Sequence, residues 1–179
     1  GQRVGDYLTV DELKSGNYVV RTRYWGTSAT AEAGAATFCS GVTGCVGLIS
    51  ASNSLVGTTS GDHVGDRVAA LSDGNYVVQS PQWTKDAVLA VGASTWCDGT
   101  TGCPPGPVTA ASSLTGASPF QIIGGEVLDE TGVLPTPVLA LPGGAYVVKS
   151  PFAGAVTWCG AGGAGCTGAT VSASNSLTG

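Results

Sequence analysis

The sequence predicts an all-β repeat protein made of three tandem, four-stranded antiparallel units. The phrase Leu-x-x-Gly-x-Tyr-Val-Val occurs at residues 13–20, 71–78 and 141–148, and a repeat of this kind determines the architecture of a chain. Short apolar runs alternate with Gly-, Pro-, Asn- and Ser-containing turns, which is typical of small antiparallel sheets. Ala, Val, Thr and Ser dominate the composition apart from Gly, whereas the helix formers Leu, Glu, Lys and Arg are scarce and Met is absent, so strands are favoured over helices.

Each unit follows one order of segments. A Val-Gly-Asp-like segment comes first, and the Tyr-Val-Val strand follows a turn in which Gly16, Gly74 or Gly144 accepts a positive φ. Side chains alternate along a strand, so either Tyr18 and Val20 or Val19 and Arg21 face the core. A Gly-Ala-x-Thr-aromatic-Cys strand, a Gly-rich turn and a Ser-Leu-Val/Thr-Gly segment complete the unit. The predicted units are residues 1–57, 58–116 and 117–179.

The third unit differs from the other two in its loops. It lacks about eight residues between its second and third strands and gains an insert at residues 127–137. Such differences belong in surface loops, and specificity is expected where the copies differ. The predicted ligand or contact surface therefore comprises Trp25 and Trp83, which follow the second strand, and Asp129 and Glu130 in the insert.

The six cysteines fall into three local pairs, each of which brackets a Gly-rich turn. Fifteen pairings are formally allowed, but recurrence of the same spacing in every unit predicts the local disulfides. Disulfides persist in oxidising compartments, so we expect an extracellular or cell-surface location. Zinc is the alternative, but His63 is the only histidine and no Cys-x-x-Cys is present, so we predict no metal or cofactor. The predicted pairs are Cys39–Cys45, Cys97–Cys103 and Cys159–Cys166.

Charge and hydropathy exclude several classes of partner. The net charge is −5, and the 7 basic residues are scattered, so no basic stripe is present for nucleic acid or an anionic membrane. No apolar run approaches the roughly 20 residues of a membrane span. The chain begins at the head of one unit and stops at the tail of another, which suggests a mature or excised piece of a larger array.

The other candidate site residues have structural interpretations. His63 lies between two aspartates, yet units one and three lack a histidine there, so an exposed turn is expected rather than a catalytic dyad. Asp6, Asp66 and Glu126 recur at one repeat position and are expected to cap turns rather than bind calcium, which needs more oxygen ligands. Asn53 and Asn175, replaced by Ser113 in unit two, are also expected to bond turns. No nucleophile, phosphate-loop or paired-carboxylate motif is present, so no enzyme is predicted.

The tryptophans leave two interpretations open. Sugar rings stack on exposed indoles, so Trp25 and Trp83 are compatible with carbohydrate binding if they are exposed. Trp96 and Trp158 alternate with small residues in a strand and share their repeat position with Phe38, which favours packing between sheets.

The combined sequence pattern of the units resembles a repeat that occurs in long tandem arrays of large secreted bacterial surface proteins, many of them haemagglutinin-like or adhesin-like. The resemblance rests on Gly-Asn-Tyr-Val-Val-x-Ser-Pro-x-Trp at residues 74–83, Gly-Ala-x-Thr-Trp at 92–96, and Ser-Ala-x-Asn-Ser-Leu-Val-Gly at 50–57. The third unit is the least typical copy, with Ala145 in place of Asn and no Trp after Phe152. The resemblance implies an exported structural role and supplies no catalytic residues.

These observations predict units that resemble β-propeller blades, with a threefold β-prism or β-trefoil as the alternative. The predicted function is an extracellular structural module of a bacterial surface fibre, filament or adhesin, stabilised by local disulfides. Its matched ends predict self-association, in which the tail strand of one chain meets the head strand of the next. The alternative function is a carbohydrate-binding, lectin-like domain.

Overall fold

Three antiparallel sheets, one for each predicted unit, form the fold. The computed structural model describes residues 8–126 and 136–179, so Asp129 and Glu130 lie outside the described residues. The all-β prediction of three four-stranded units is confirmed, and no sheet within the described ranges closes on itself. The remaining regular structure in these ranges consists of four three-residue 3₁₀ helices, at residues 110–112, 142–144, 151–153 and 161–163.

The strands run in chain order as meanders, and each unit repeats the arrangement of the one before it. One short strand of unit 2, β8, leaves its own sheet and pairs in parallel with β4 of unit 1. Unit 1 contains β1 (Leu8–Glu12), β2 (Tyr18–Thr22), β3 (Ala35–Cys39) and β4 (Leu55–Val56); unit 2 contains β5 (Arg67–Ala70), β6 (Tyr76–Ser80), β7 (Ala93–Cys97), β8 (Gly106–Pro107) and β9 (Ser113–Thr115); unit 3 contains β10 (Val138–Ala140), β11 (Tyr146–Ser150), β12 (Ala155–Cys159) and β13 (Ser176–Thr178).

The turn before each Tyr-Val-Val strand has the predicted backbone. Gly16, Gly74 and Gly144 have φ angles of 81°, 94° and 82°, a region that L-residues with a Cβ rarely adopt. The shortened loop of unit 3 is also present. Twelve residues separate β2 from β3 and β6 from β7, whereas four separate β11 from β12.

The two larger hydrophobic clusters lie between the sheets, and a small third cluster of Trp25, Ala35 and Val56 lies within unit 1. Leu55 of unit 1 belongs to one cluster with Tyr76 and Val78 of unit 2. Leu114 of unit 2 belongs to a second cluster with Tyr146 of unit 3. Each core layer is therefore shared by two consecutive units.

The expectation that one face of the Tyr-Val-Val strand is turned to the core agrees with β2, where Val19 is buried and Val20 is half-buried, but β6 of the central unit differs. In β6 all five residues are buried: Tyr76 and Val78 lie in the layer with unit 1, and Val77 lies in the layer with unit 3. Successive side chains of a strand point to opposite faces, so a sheet that is covered on both sides buries all of them.

Candidate functional site

Consecutive units are joined by two rows of parallel backbone contacts, and these junctions are the repeated feature of the molecule. In the first row, the Val64 N–H donates to the Ala33 carbonyl at 2.9 Å, and the Ile123 N–H donates to the Val91 carbonyl at 3.1 Å. The two backbones approach so closely that a Cβ on Gly92 would lie 2.1 Å from the Ile123 nitrogen. A side chain at this position would separate the two units.

The second row joins the last strand of one unit to the segment after the disulfide loop of the next. The Val108 N–H donates to the Val56 carbonyl at 3.0 Å, and the Val171 N–H donates to the Thr115 carbonyl at 2.9 Å. Both bonds link residues at equivalent repeat positions. Each unit thus uses the same backbone groups to bind the next one.

Each junction also places an aromatic ring against a glycine of the next disulfide loop. A Cβ on Gly102 would lie 2.7 Å from the Phe38 Cβ, and a Cβ on Gly163 would lie 3.0 Å from the Trp96 Cβ. Phe38 and Trp96 are both partly buried and pack against the core layers that their units share with the next. The prediction that Trp96 packs between sheets agrees with this contact.

Charged side chains cross the junctions as well. Arg23 Nη1 lies 2.7 Å from Asp66 Oδ1, and Arg21 donates to the Asp66 carbonyl. At the next junction Arg67 Nη2 lies 2.5 Å from Glu126 Oε2. The expectation that Asp66 and Glu126 cap turns is wrong, because both carboxylates bind arginines. They also do not share one repeat position: the parallel bridges make Val64 equivalent to Ile123, so Glu126 is equivalent to Arg67.

His63 lies at the first junction rather than in an exposed turn. Its side chain is only 14% exposed, and its Nε2 is 3.2 Å from Glu32 Oε2. Its Nδ1 contacts Gln82 Oε1. The neighbouring Asp62 is used elsewhere: it is fully buried and accepts hydrogen bonds from the N–H groups of Thr58, Thr59 and Thr84. The structure therefore does not assemble a His–Asp dyad at this position.

The three local disulfides are present: Cys39–Cys45, Cys97–Cys103 and Cys159–Cys166. Each closes the loop that follows the third strand of its unit. In unit 2, Tyr76 Oη accepts a hydrogen bond from the Cys103 N–H at 3.2 Å. Burial raises the pKa of Tyr76 to about 12, and burial also raises the pKa of Tyr146 to about 12. The protonated phenol of Tyr76 thus holds the Cys97–Cys103 loop against the core.

Asn53 and Asn175 bond turns as predicted. Asn53 Oδ1 accepts the Ser50 N–H at 2.9 Å, and Asn175 Oδ1 accepts the Ser172 N–H at 3.0 Å. In unit 2 this position is occupied by Ser112 and not by the predicted Ser113. Asn53 lies two residues before Leu55, and Ser112 lies two residues before the equivalent Leu114.

Trp25 and Trp83 do not form an exposed surface. They are only 6% and 4% exposed, and each belongs to a core cluster. Trp25 packs in the small cluster with Ala35 and Val56 of its own unit, and Trp83 packs in the cluster that units 1 and 2 share. The expectation of exposure is wrong for both, and neither indole presents a face on which a sugar could stack.

The opposite result holds for the last unit. Trp158 is 61% exposed and Leu177 is 79% exposed, whereas Leu114, the equivalent of Leu177 in unit 2, is 1% exposed. The face of unit 3 that corresponds to the joined faces of units 1 and 2 is thus apolar and open. The prediction of interior packing does not hold for Trp158 in this chain.

Metal-ligand clusters and membrane-spanning helices are both absent from residues 8–126 and 136–179. Within these ranges, no three His, Cys, Asp or Glu side chains cluster closely enough to hold a metal ion. None of the helices in the same ranges has the length and apolar character needed to cross a membrane.

Comparison with protein families agrees with the three junction-linked units. The model of a repeat of unknown function, DUF5650, matches residues 12–66, 70–125 and 140–179. The chain belongs to the DUF5650 repeat family. Each DUF5650 match contains the Tyr-Val-Val strand and the disulfide loop of one sheet. No curated protein matches the chain.

Proposed function

We propose that this DUF5650 chain is an extracellular structural module of a bacterial surface fibre, filament or adhesin, and that its stacked units assemble through end-to-end β contacts. The observation that carries the proposal is the sharing of each core layer by two consecutive units. A unit in such an array gains stability from its neighbours, so the arrangement favours extension along one direction. The proposal includes no catalytic step.

The disulfides support an extracellular location. Three of them close loops with sequence separations of 6, 6 and 7 residues, one in each unit. Structural disulfides are rare in reducing compartments and common in secreted proteins. The resemblance of the repeat sequence to repeats of large secreted surface proteins also supports an extracellular location.

Carbohydrate binding, the second function predicted from the sequence, loses its main support. It depended on exposed indoles at Trp25 and Trp83, and both rings lie in the core. We therefore retain the structural role as the proposed function.

Labelling of intact cells tests the proposal. An antibody raised against the folded chain is expected to label non-permeabilised cells of the source organism, and electron microscopy with the same antibody is expected to mark fibres or a surface layer. Non-reducing mass spectrometry of the native protein provides the control for folding, since it should recover the three local disulfides. Labelling that appears only after permeabilisation would contradict the extracellular role.

A further inference from the structure

The two outer faces of the stack both expose apolar side chains. On unit 3, we call the face that bears Val156, Trp158 and Leu177 the downstream face. These side chains are 42%, 61% and 79% exposed. At the same repeat positions of unit 2, Ser94 is 2% exposed, and Leu114 is buried against unit 3. Among residues 8–126 and 136–179, no further unit covers the downstream face.

The opposite face of unit 1 has the complementary character. We call the face that bears Val10, Val20 and Ile49 the upstream face. Val10 is 56% exposed, whereas Val138, its equivalent in unit 3, is 5% exposed. Val20 is half-buried, whereas Val148 is fully buried in the layer between units 2 and 3.

The upstream face also has space for the aromatic ring of a preceding unit. At the internal junctions, Gly102 touches Phe38, and Gly163 touches Trp96. Gly44 precedes Cys45 as Gly102 precedes Cys103, and a Cβ on Gly44 would meet nothing closer than Tyr18 Oη at 3.7 Å.

We infer that the downstream face of unit 3 binds the upstream face of unit 1 of a second copy of this chain. The ring of Trp158 lies on Gly44 of the second copy, as Phe38 lies on Gly102. The Thr178 carbonyl accepts the Ile49 N–H of the second copy, as the Val56 carbonyl accepts the Val108 N–H at 3.0 Å. This inference rests on the proposed structural function and identifies the partner and the contact.

The occupant follows from continuity with the established junctions. Both internal downstream faces, on units 1 and 2, are covered by the upstream face of another DUF5650 unit. The interface is heterologous, since the downstream face of one copy meets the upstream face of the next. Heterologous contacts that do not close extend into chains of subunits.

Sedimentation velocity on the purified, disulfide-intact chain tests the inference. The weight-average mass is expected to rise with protein concentration beyond twice the 17.6-kDa chain mass. Leu177→Asp and Val10→Asp each place a charge in one half of the contact and are expected to weaken association at least about tenfold. Leu89→Asp is the matched control, since Leu89 is 53% exposed and lies on neither face. This control should associate like the wild type.

Mixing the two variants makes the test directional. Leu177→Asp retains an intact upstream face and Val10→Asp retains an intact downstream face, so an equimolar mixture is expected to form a 1:1 complex that grows no further. A wild type that remains monomeric at all concentrations, or a mixture that forms no complex, would overturn the inference. Either outcome leaves the extracellular role to be decided by cell labelling, so the two failures are distinguishable.

Discussion

A buried hydroxyl pair in unit 2 offers a quantitative test of the fold. Thr95 Oγ1 lies 2.8 Å from Ser113 Oγ, and the two residues are 2% and 0% exposed. The same pair recurs as Thr37 with Ser54 at 2.7 Å. Substitution Thr95→Val removes one partner while nearly preserving the shape of the side chain.

The expected cost follows from the partner that remains. In unit 1, Ser54 Oγ also donates to Asn53 Oδ1 at 2.9 Å, so it keeps a hydrogen bond when Thr37 is changed. Among the described residues, Thr95 is the only side-chain partner of Ser113 Oγ. A buried hydroxyl without a partner costs about 1–3 kcal/mol, so Thr95→Val is expected to lower the free energy of unfolding by that amount. Thr37→Val is expected to cost less.

Urea denaturation of the disulfide-intact protein measures this difference. The double variant Thr95→Val/Ser113→Ala removes both hydroxyls and is expected to recover part of the stability that Thr95→Val loses, because no polar group is then left unpaired. Equal m-values among the variants would show that the transitions are comparable. The reasoning is refuted if Thr95→Val is as stable as the wild type, or if the double variant is less stable than Thr95→Val.

Three further predictions concern the disulfide loops and the junctions. Replacing Cys97 and Cys103 by serine should lower the unfolding free energy by about 2 kcal/mol on the loop-entropy model; an unchanged urea midpoint contradicts this. Because the pKa of Tyr76 rises from 10.0 to about 12, the folded state retains the phenolic proton that the unfolded state loses, so stability should decrease between pH 10 and 12. Ultraviolet titration should show this delayed ionisation, and Tyr76→Phe should lessen the loss of stability. Gly92→Ala brings Cβ within 2.1 Å of Ile123 N and should open the second junction, seen as faster amide exchange at Ile123.

The order of elements could be predicted from the sequence because it depends on local signals. The repeated Gly before each Tyr-Val-Val strand fixes a turn, and the recurring cysteine spacing fixes the disulfides, as at Cys97 and Cys103. Both signals lie within a few residues of the structure that they determine, and recurrence of the cysteine spacing in every unit distinguishes the local disulfides from the other pairings.

The candidate surfaces could not be predicted in the same way, because burial depends on neighbouring units. Trp96 and Trp158 occupy the same repeat position within a Thr-Trp-Cys strand, yet Trp96 is half-buried and Trp158 is 61% exposed. Trp96 packs against the core layer that unit 2 shares with unit 3, whereas no further unit covers Trp158 within the described residues. His63 is likewise removed from solvent by residues of two units, which its local sequence does not reveal.

The Tyr-Val-Val phrase contains the signal from which stacking could have been recognised. A strand with one solvated face alternates apolar and polar residues, whereas three consecutive apolar residues indicate burial on both faces. In the central unit Val77 and Val78 are both fully buried. In unit 1 Val19 is buried and Val20 half-buried, and in unit 3 the pattern is reversed. Each outer sheet therefore has the composition of an inner sheet, although one of its two faces is open. The open faces of units 1 and 3 lie on opposite sides of the stack. This property allows the same junction to be repeated between chains.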